Sequence, residues 1–429
     1  MLATNLTLET QLNLARETPL FYKVFTLAST GMILDAADVY MASAINSTMI
    51  SEKFASITQG SLFLSAGFLG LFIGSLLAGY IGDFYGRKRS YQFNLLLFGA
   101  FTLLSAFAPN ILTLTIFRLI AAIGLGAEIV TGYATVNEFA PVNRRGHWSG
   151  MCAIIANSGA PLTLLIATFM IPHFGWRSMF ALMGALALIL WIARHNFPES
   201  PRWLLDRGRT EEAGKIIGEL TENGLYAETP EAAKLEESHT PFSRGLFIAI
   251  IGVSATLLCQ YTFTSWVPTL LVQQGLDIFS SIGFSAIMMI GAPIGALIGT
   301  LLVDRAGRKN VITTSFIAAA ILGIAYAHET TTAGILINGI LITITFYILM
   351  ATMVSVYTNE LFATSHRFRG AGTANAIAKG LNTLMPTFVA IAITHVSASW
   401  IYYGIAILAF AAAALIFAFG PETGHKAIR

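Results

Sequence analysis

The chain reads as a succession of apolar stretches cut by short polar turns. A helix that crosses a bilayer needs about 20 mostly apolar residues. By that measure six candidates fall at 24–50, 57–82, 90–108, 111–138, 147–171 and 178–197. Six more fall at 244–271, 279–303, 309–327, 332–360, 370–396 and 398–419. The alternating ~10-residue blocks of a membrane β-barrel are not seen. The pattern predicts an all-α membrane protein with twelve transmembrane helices. Residues 1–20 carry Glu9, Arg16 and Glu17 and lack the basic-then-apolar order of an export signal. They read as a cytosolic lead-in with a short surface helix.

Composition agrees with this reading. Hydrophobic residues make up 55% and charged residues 11%, against about 25% charged in soluble domains. The charges are unevenly placed. Of the 48 acids and bases, 15 lie between Pro198 and Ser243. That island divides the chain into 1–197, a linker 198–243 with short helical runs such as Thr210 to Thr221, and 244–429. It is too small and polar for a core of its own and is expected to pack under the bundle. A net charge of +2 does not point to nucleic acid. Cys152 and Cys259 sit in apolar stretches and predict neither a disulfide framework nor a zinc site.

Lysines and arginines orient the spans. With the N-terminus inside, 21 of 25 fall on the cytoplasmic side, with Arg194 at the linker's edge. The outer loops keep Lys53 and Arg177, while Arg118 and Lys379 lie within spans. Both termini are therefore expected in the cytoplasm of a multi-pass plasma or inner membrane protein.

The two halves repeat each other. Gly79 to Arg89 reads GYIGDFYGRKR and Gly299 to Asn310 reads GTLLVDRAGRKN, which places Asp83, Gly86, Arg87 and Lys88 over Asp304, Gly307, Arg308 and Lys309. Glu138 with Arg144 and Arg145 recurs as Glu360 with Arg367 and Arg369. Pro198-Glu199-Ser200 recurs as Pro421-Glu422-Thr423. One order at one spacing, near 222 residues, indicates a duplicated six-helix unit. Parallel halves of this kind are a transporter architecture with the substrate near the midplane. The recurring acids and bases are read as pairs that latch the inner gate; the alternative is simple positive-inside anchoring.

With these motifs the chain resembles the major facilitator superfamily, and the Pro-Glu-Ser and Pro-Glu-Thr segments resemble its sugar porters and organic-ion transporters. Gly124-Leu125-Gly126-Ala127-Glu128 and Ser265-Trp266-Val267-Pro268-Thr269-Leu270-Leu271 are similar to segments of nicotinate-type and other carboxylate–proton symporters. Lys379, seven residues before Pro386, stands where organic-anion transporters often carry Arg. Lys keeps the charge and loses the bidentate fork. The resemblance implies a fold of two parallel six-helix repeats and a secondary transporter. The expected activity is proton-coupled symport of a small organic ion, most readily a carboxylate. Sugar or polyol symport, drug efflux and organic-cation transport are the alternatives. Transporters of this fold usually work as monomers.

Ionisable groups at membrane depth are costly and point to function. Five stand out: Asp35, Asp38, Arg118, Glu128 and Lys379. At ~1.5 Å per residue, Asp38 lies about 16 Å and Asp35 about 21 Å below the outer end of the first span, with Arg118 about 10 Å deep and Glu128 about 26 Å. Asp38 and Arg118 thus share a depth. Arg118, Gly124 and Gly126 match the superfamily's fourth-span pattern, whose Arg pairs in sugar porters with a first-span Asp at the place of Asp38. The resemblance makes Asp38 the first candidate for proton coupling, with Asp35 its competitor. A change that separates Asp38 from Arg118 would let a proton replace the guanidinium. Glu128 is too far from Arg118 to pair and is either a second protonation site, a lining residue or a packing acid. Lys379 suits a carboxylate substrate, or serves as counter-ion to Asp35 or Glu128.

Further lining candidates are Asn157, Gln260, Tyr261, Trp266, Tyr347, Asn375 and Asn382. Gln260 lies near the repeat position of Asp38. No nucleophile constellation, metal-ligand spacing or P-loop order emerges, so neither an enzyme nor an ATP-driven pump is expected. The only coupling partner called for is the proton, with no cofactor.

Overall fold

The computed structural model describes residues 7–141, 144–226, 240–303, 305–362 and 367–423, without the side chains of residues 79, 80, 83, 146, 367 and 368. Within these, every regular element is a helix. After a short α1 (Leu8–Leu14) come six spans: α2 (Pro19–Ser51), α3 (Ile57–Tyr85), α4 (Arg87–Ser105), α5 (Ile111–Phe139), α6 (Arg145–Phe174) and α7 (Arg177–Ala193). Two short helices follow, α8 (Pro201–Asp206) and α9 (Thr210–Leu220). The second group begins with α10 (Phe242–Gln273), then α11 (Ile278–Met289) and α12 (Gly291–Val303) in one broken span. It continues with α13 (Arg308–His328) and with α14 (Thr332–Leu349), which runs through a π-helical stretch, Met350–Tyr357, into α15 (Thr358–Glu360). It ends with α16 (Arg367–His395) and α17 (Ser399–Phe419). Ten spans are long and apolar enough to cross a bilayer. The shorter α4 and α7 make twelve.

Local sequence sets the starts. Thr18 accepts from the Phe21 amide with Pro19 as the first helical residue of α2. Ser56 and Gln59 form a reciprocal capping box on α3. Two spans that the apolar pattern makes continuous are not. Pro293 lacks an amide hydrogen and its ring crowds the carbonyl of Met289, which breaks the eighth span at Ile290. In the tenth span the π turn is marked by hydroxyls reaching back five residues, Ser355 to the Met350 carbonyl at 3.1 Å and Thr358 to the Met353 carbonyl at 2.7 Å.

Within the first group α3 and α5 run backbone to backbone. A Cβ on Gly74 would lie 2.0 Å from the Ile123 carbonyl oxygen, and one on Gly126 2.3 Å from that of Leu71. Small residues at such crossings gain close packing where lipid gives no hydrophobic drive. The outer faces carry exposed Phe93, Leu112, Ile192, Phe388, Phe410 and Phe417, a lipid-facing belt. Between the groups, the main contacts are α3 with α16, α6 with α11 and α12, and α2 with α10, beside a minor one of α2 with α11. Exchanging the groups maps the main contacts onto themselves, as an axis along the membrane normal requires.

The polar island docks on the end of α2 that lies on the side of the termini. Leu204, Ile217 and Leu220 share a buried cluster with Leu12, Phe21 and Val24. Glu17 fastens it. One carboxylate oxygen accepts from Trp148 Nε1 at 3.0 Å and Arg144 Nη1 at 3.4 Å, and the other from the Tyr226 hydroxyl at 2.7 Å.

Candidate functional site

The charges buried in the first group gather between α2, α5 and α7. Asp38 and Arg118 form an ion pair, both buried, with the Arg118 Cζ 5.7 Å from the centre of the Phe63 ring. The second carboxylate oxygen of Asp38 and Nε of Arg118 have no hydrogen-bond partner. Glu128 pairs with Arg194, at the C-terminal cap of α7. Arg194 also donates to the Leu27 carbonyl at 2.6 Å and stacks over Tyr91 with Cζ 4.4 Å from the ring centre. Gly31 makes room for this pair, since a Cβ there would lie 2.1 Å from Arg194 Nη2 and 2.6 Å from Glu128 Oε1.

Sequence reasoning placed Arg194 among the charges at the linker's edge. It closes the apolar run of α7, but its side chain is 0% exposed and turned into the bundle. Counting basic residues by loop gives no signal for that turn. Its presence settles the partner of Glu128.

Asp35 lies one turn from Gly31 and one from Asp38, on the same face of α2. It is buried, and neither carboxylate oxygen has a partner. The cluster thus holds three acids and two arginines. Both arginines are engaged with the other two acids, so the charge of Asp35 is the one left unbalanced.

The groups meet near the middle of the spans and again at their ends away from the termini. The Tyr40 and Tyr347 hydroxyls bond directly, and Gln260 Nε2 donates to Tyr40 at 3.2 Å. Phe68 and Tyr261 meet edge to face at 5.0 Å between centroids, and Phe169 and Phe279 at 5.9 Å. Tyr40 and Phe68 were not singled out in the sequence, where nothing separates them from filler aromatics. Tyr261, Trp266 and Asn382 line one crevice with Phe68 and Thr262. Lys379 is half-buried on α16, one turn from Asn382, and has no ion pair among the described residues. It is not drawn to Asp35 or Glu128. Asn375 spends its amide nitrogen on the Ala371 carbonyl at 2.9 Å. Asn157 is half-buried on α6.

The repeated loop motifs build two similar networks on the side of the termini. Arg87 binds Glu138 at 2.9 Å, and Arg308 binds Glu360 at 3.2 Å. Glu138 thus takes its arginine from the loop between the second and third spans; Arg144, its near neighbour in sequence, pairs with Glu17 instead. Arg145 is half-buried and Arg369 exposed. Asp304 and the side chains of Asp83 and Arg367 lie outside the described residues. The Pro-Glu acids have a role that the repeat alone did not reveal. Glu199 accepts from the backbone amides of Arg87 at 2.7 Å and Lys88 at 3.2 Å, and Glu422 from those of Arg308 at 2.9 Å and Lys309 at 3.2 Å. Each acid so caps a helix start that follows a glycine at positive φ, Gly86 at 89° and Gly307 at 82°. Each of these networks lies within one group of spans.

Comparison with known proteins agrees with this architecture. Residues 28–385 match the family described as the Major Facilitator Superfamily. The chain is 32% identical over 420 residues to the inner membrane metabolite transport protein YdjE of Escherichia coli, covering 94% of this chain and 93% of that protein. It is 27% identical to the niacin transporter NiaP of Acinetobacter baylyi, covering 95% of each. It is 28% identical to the 4-hydroxybenzoate transporter PcaK of the same organism, covering 72% of this chain and 73% of that one. Among solved structures, the inward-open xylose transporter XylE of E. coli superposes with a TM-score of 0.78 at 17% identity, over 95% of this chain and 98% of that one.

Proposed function

Because the chain belongs to the Major Facilitator Superfamily, and is a multi-pass membrane transporter of small organic metabolites rather than an enzyme, we propose that it couples the entry of a proton to that of a small organic carboxylate by alternating access. The observation that carries this is the excess acid. Three buried carboxylates face two arginines between α2, α5 and α7, and Asp35 has no partner. An unpaired charge held away from water is costly. A proton on Asp35 removes it, and its release restores the charge. Asp38 and Arg118, one turn away, form the pair whose opening changes what Asp35 faces. Glu128 is held by Arg194 and sets the field of the site.

Lys379 is the substrate's anchor. It stands on α16 without a carboxylate partner, which suits a carboxylate brought by the substrate. Gln260, Tyr261, Trp266, Tyr347, Asn375, Asn382 and Asn157 complete the lining. The relatives named for niacin and 4-hydroxybenzoate support an aromatic carboxylate. The sugar reading loses its hold at the residue after Gln260, where Tyr261 packs on Phe68 rather than offering a second amide.

The termini face the cytoplasm, as the distribution of Lys and Arg requires. The Tyr40–Tyr347 and Phe68–Tyr261 contacts then join the two groups near the middle of the membrane. The halves 1–197 and 244–429 rock about the midplane, and the linker helices α8 and α9 travel with the first half. The Arg87–Glu138 and Arg308–Glu360 networks each brace the cytoplasmic ends of one half, so that the half moves as a unit when the inner gate opens and closes. Lys88, Arg144, Arg145, Lys309 and Arg369 belong to the same gate region, to which the repeated motif also assigns Asp83, Asp304 and Arg367. The protein works as a monomer in the plasma or inner membrane.

Proteoliposomes with an imposed pH gradient test the coupling. The wild-type protein accumulates nicotinate or 4-hydroxybenzoate on acidification outside, while Asp35→Asn exchanges substrate without accumulating it. Full gradient-driven accumulation by Asp35→Asn would remove the proposal's basis.

A further inference from the structure

The crevice between α3, α10 and α16 holds three buried polar atoms that no protein group satisfies: Trp266 Nε1, Asn382 Oδ1 and Thr262 Oγ1. Their residues are 1%, 1% and 4% exposed. Hydroxyls on α10 are treated in two ways, and Thr262, like Ser254 and Thr269, is one of those without a partner. Thr256 and Thr264 return their hydroxyls to the carbonyls four residues back, at 2.8 and 2.9 Å, and Thr262 does not. The amide nitrogen of Asn382 is committed to the Ala378 carbonyl at 3.0 Å, which leaves its oxygen as an acceptor only. Trp266 can only donate. One donor, one acceptor and one hydroxyl that does either therefore line a single narrow crevice together with Phe68 and Tyr261.

Such a set matches a neutral group that both gives and takes a hydrogen bond, such as a hydroxyl or an amide. Lys379 lies one turn toward the termini on α16, with Cβ atoms three residues apart about 5–6 Å from each other. That spacing is on the scale of a one-ring substrate. We propose that Trp266, Asn382 and Thr262 form a second subsite that selects a neutral hydrogen-bonding substituent on the far side of the ring from the substrate's carboxylate. This rests on the reading of Lys379 as the carboxylate anchor. A site built around unpaired polar groups rejects a ligand that cannot pair them far more strongly than an apolar pocket rejects a missing methyl.

The test uses the purified full-length protein and three probes: 4-hydroxybenzoate, 4-methylbenzoate and benzoate. Binding is measured directly, by equilibrium competition. The wild-type protein is expected to prefer the hydroxyl compound over its methyl counterpart by about tenfold or more. In Asn382→Leu and in Trp266→Phe the preference collapses toward one, through loss of affinity for the hydroxyl compound. Thr262→Val, close in shape to the native residue, gives the same direction with least risk to folding. Lys379→Gln weakens all three probes. A wild-type protein that binds all three equally overturns the subsite and leaves the carboxylate reading standing. A wild-type protein that binds none of them overturns the carboxylate reading and the subsite with it. Variants that keep the preference overturn the subsite alone.

Discussion

Replacing Arg194 by Met removes the guanidinium from a pair whose side chains are 0% and 1% exposed. The Glu128 carboxylate is then stranded beside Asp35, and the Leu27 carbonyl loses a donor at 2.6 Å. Breaking a buried ion pair from one side costs about 3–5 kcal/mol, most of it from the charge left behind. Arg194→Met should therefore unfold markedly earlier than the wild-type protein. Removing the stranded charge as well should recover much of the loss, because a neutral pair of similar volume pays little desolvation. The double variant Glu128→Gln/Arg194→Met is accordingly expected to be more stable than Arg194→Met alone, with a coupling energy of about 0.5–3 kcal/mol. Denaturation of the detergent-solubilised protein, followed by tryptophan fluorescence, measures all four corners of the cycle. Strict additivity, with the double variant less stable than either single one, would refute the account of this cluster.

Two further outcomes follow from the same geometry. Gly31→Ala places a methyl group 2.1 Å from Arg194 Nη2 and 2.6 Å from Glu128 Oε1, so it should destabilise by about 1–3 kcal/mol and the loss should shrink in the Glu128→Gln/Arg194→Met background; an equal loss in both, read from the same melts, would contradict the contact. Burial pushes the Glu17 carboxyl up, but hydrogen bonds from Tyr226 and Trp148 and the charge of Arg144 outweigh it and hold it below its ordinary 4.5. A depressed value contributes stability above the unfolded pKa and loses it as pH falls through the folded one, so Trp148 fluorescence should stay constant from neutral pH down to about 5 and change only below the ordinary Glu range, whereas a transition near pH 6–7 would speak against the clamp.

Much of the fold was legible because a bilayer imposes it. Spans must be long and apolar, and the 222-residue repeat of acids, glycines and bases declared two equivalent groups. The break in the eighth span carried a signal in Pro293 that hydropathy alone passes over, whereas the π turn in the tenth had none, since the residues around Ser355 keep the same apolar character in either helical form. Depth arithmetic brought Asp38 to Arg118, because both lie on simple helices of known direction. It could not bring Arg194 to Glu128. That pairing depends on which way a side chain at a helix end turns, which the loop count ignores. The contact of Tyr40 with Tyr347 and Gln260 depends on how the two groups lean together, a property of neither helix alone. Glu199 and Glu422 were visible as a repeat, yet their capping of α4 and α13 needed the positive-φ glycines and the approach of distant loops.

The central claim, that substrate and proton enter together through the excess acid at Asp35, is tested most directly by following both at once. In lightly buffered proteoliposomes with no imposed gradient, labelled 4-hydroxybenzoate is added outside while a pH electrode records the medium. The account predicts alkalinisation of the medium in step with uptake by the wild-type protein. It predicts substrate exchange without that alkalinisation in Asp35→Asn. Wild-type uptake with no proton movement, or proton movement that survives Asp35→Asn undiminished, would contradict it.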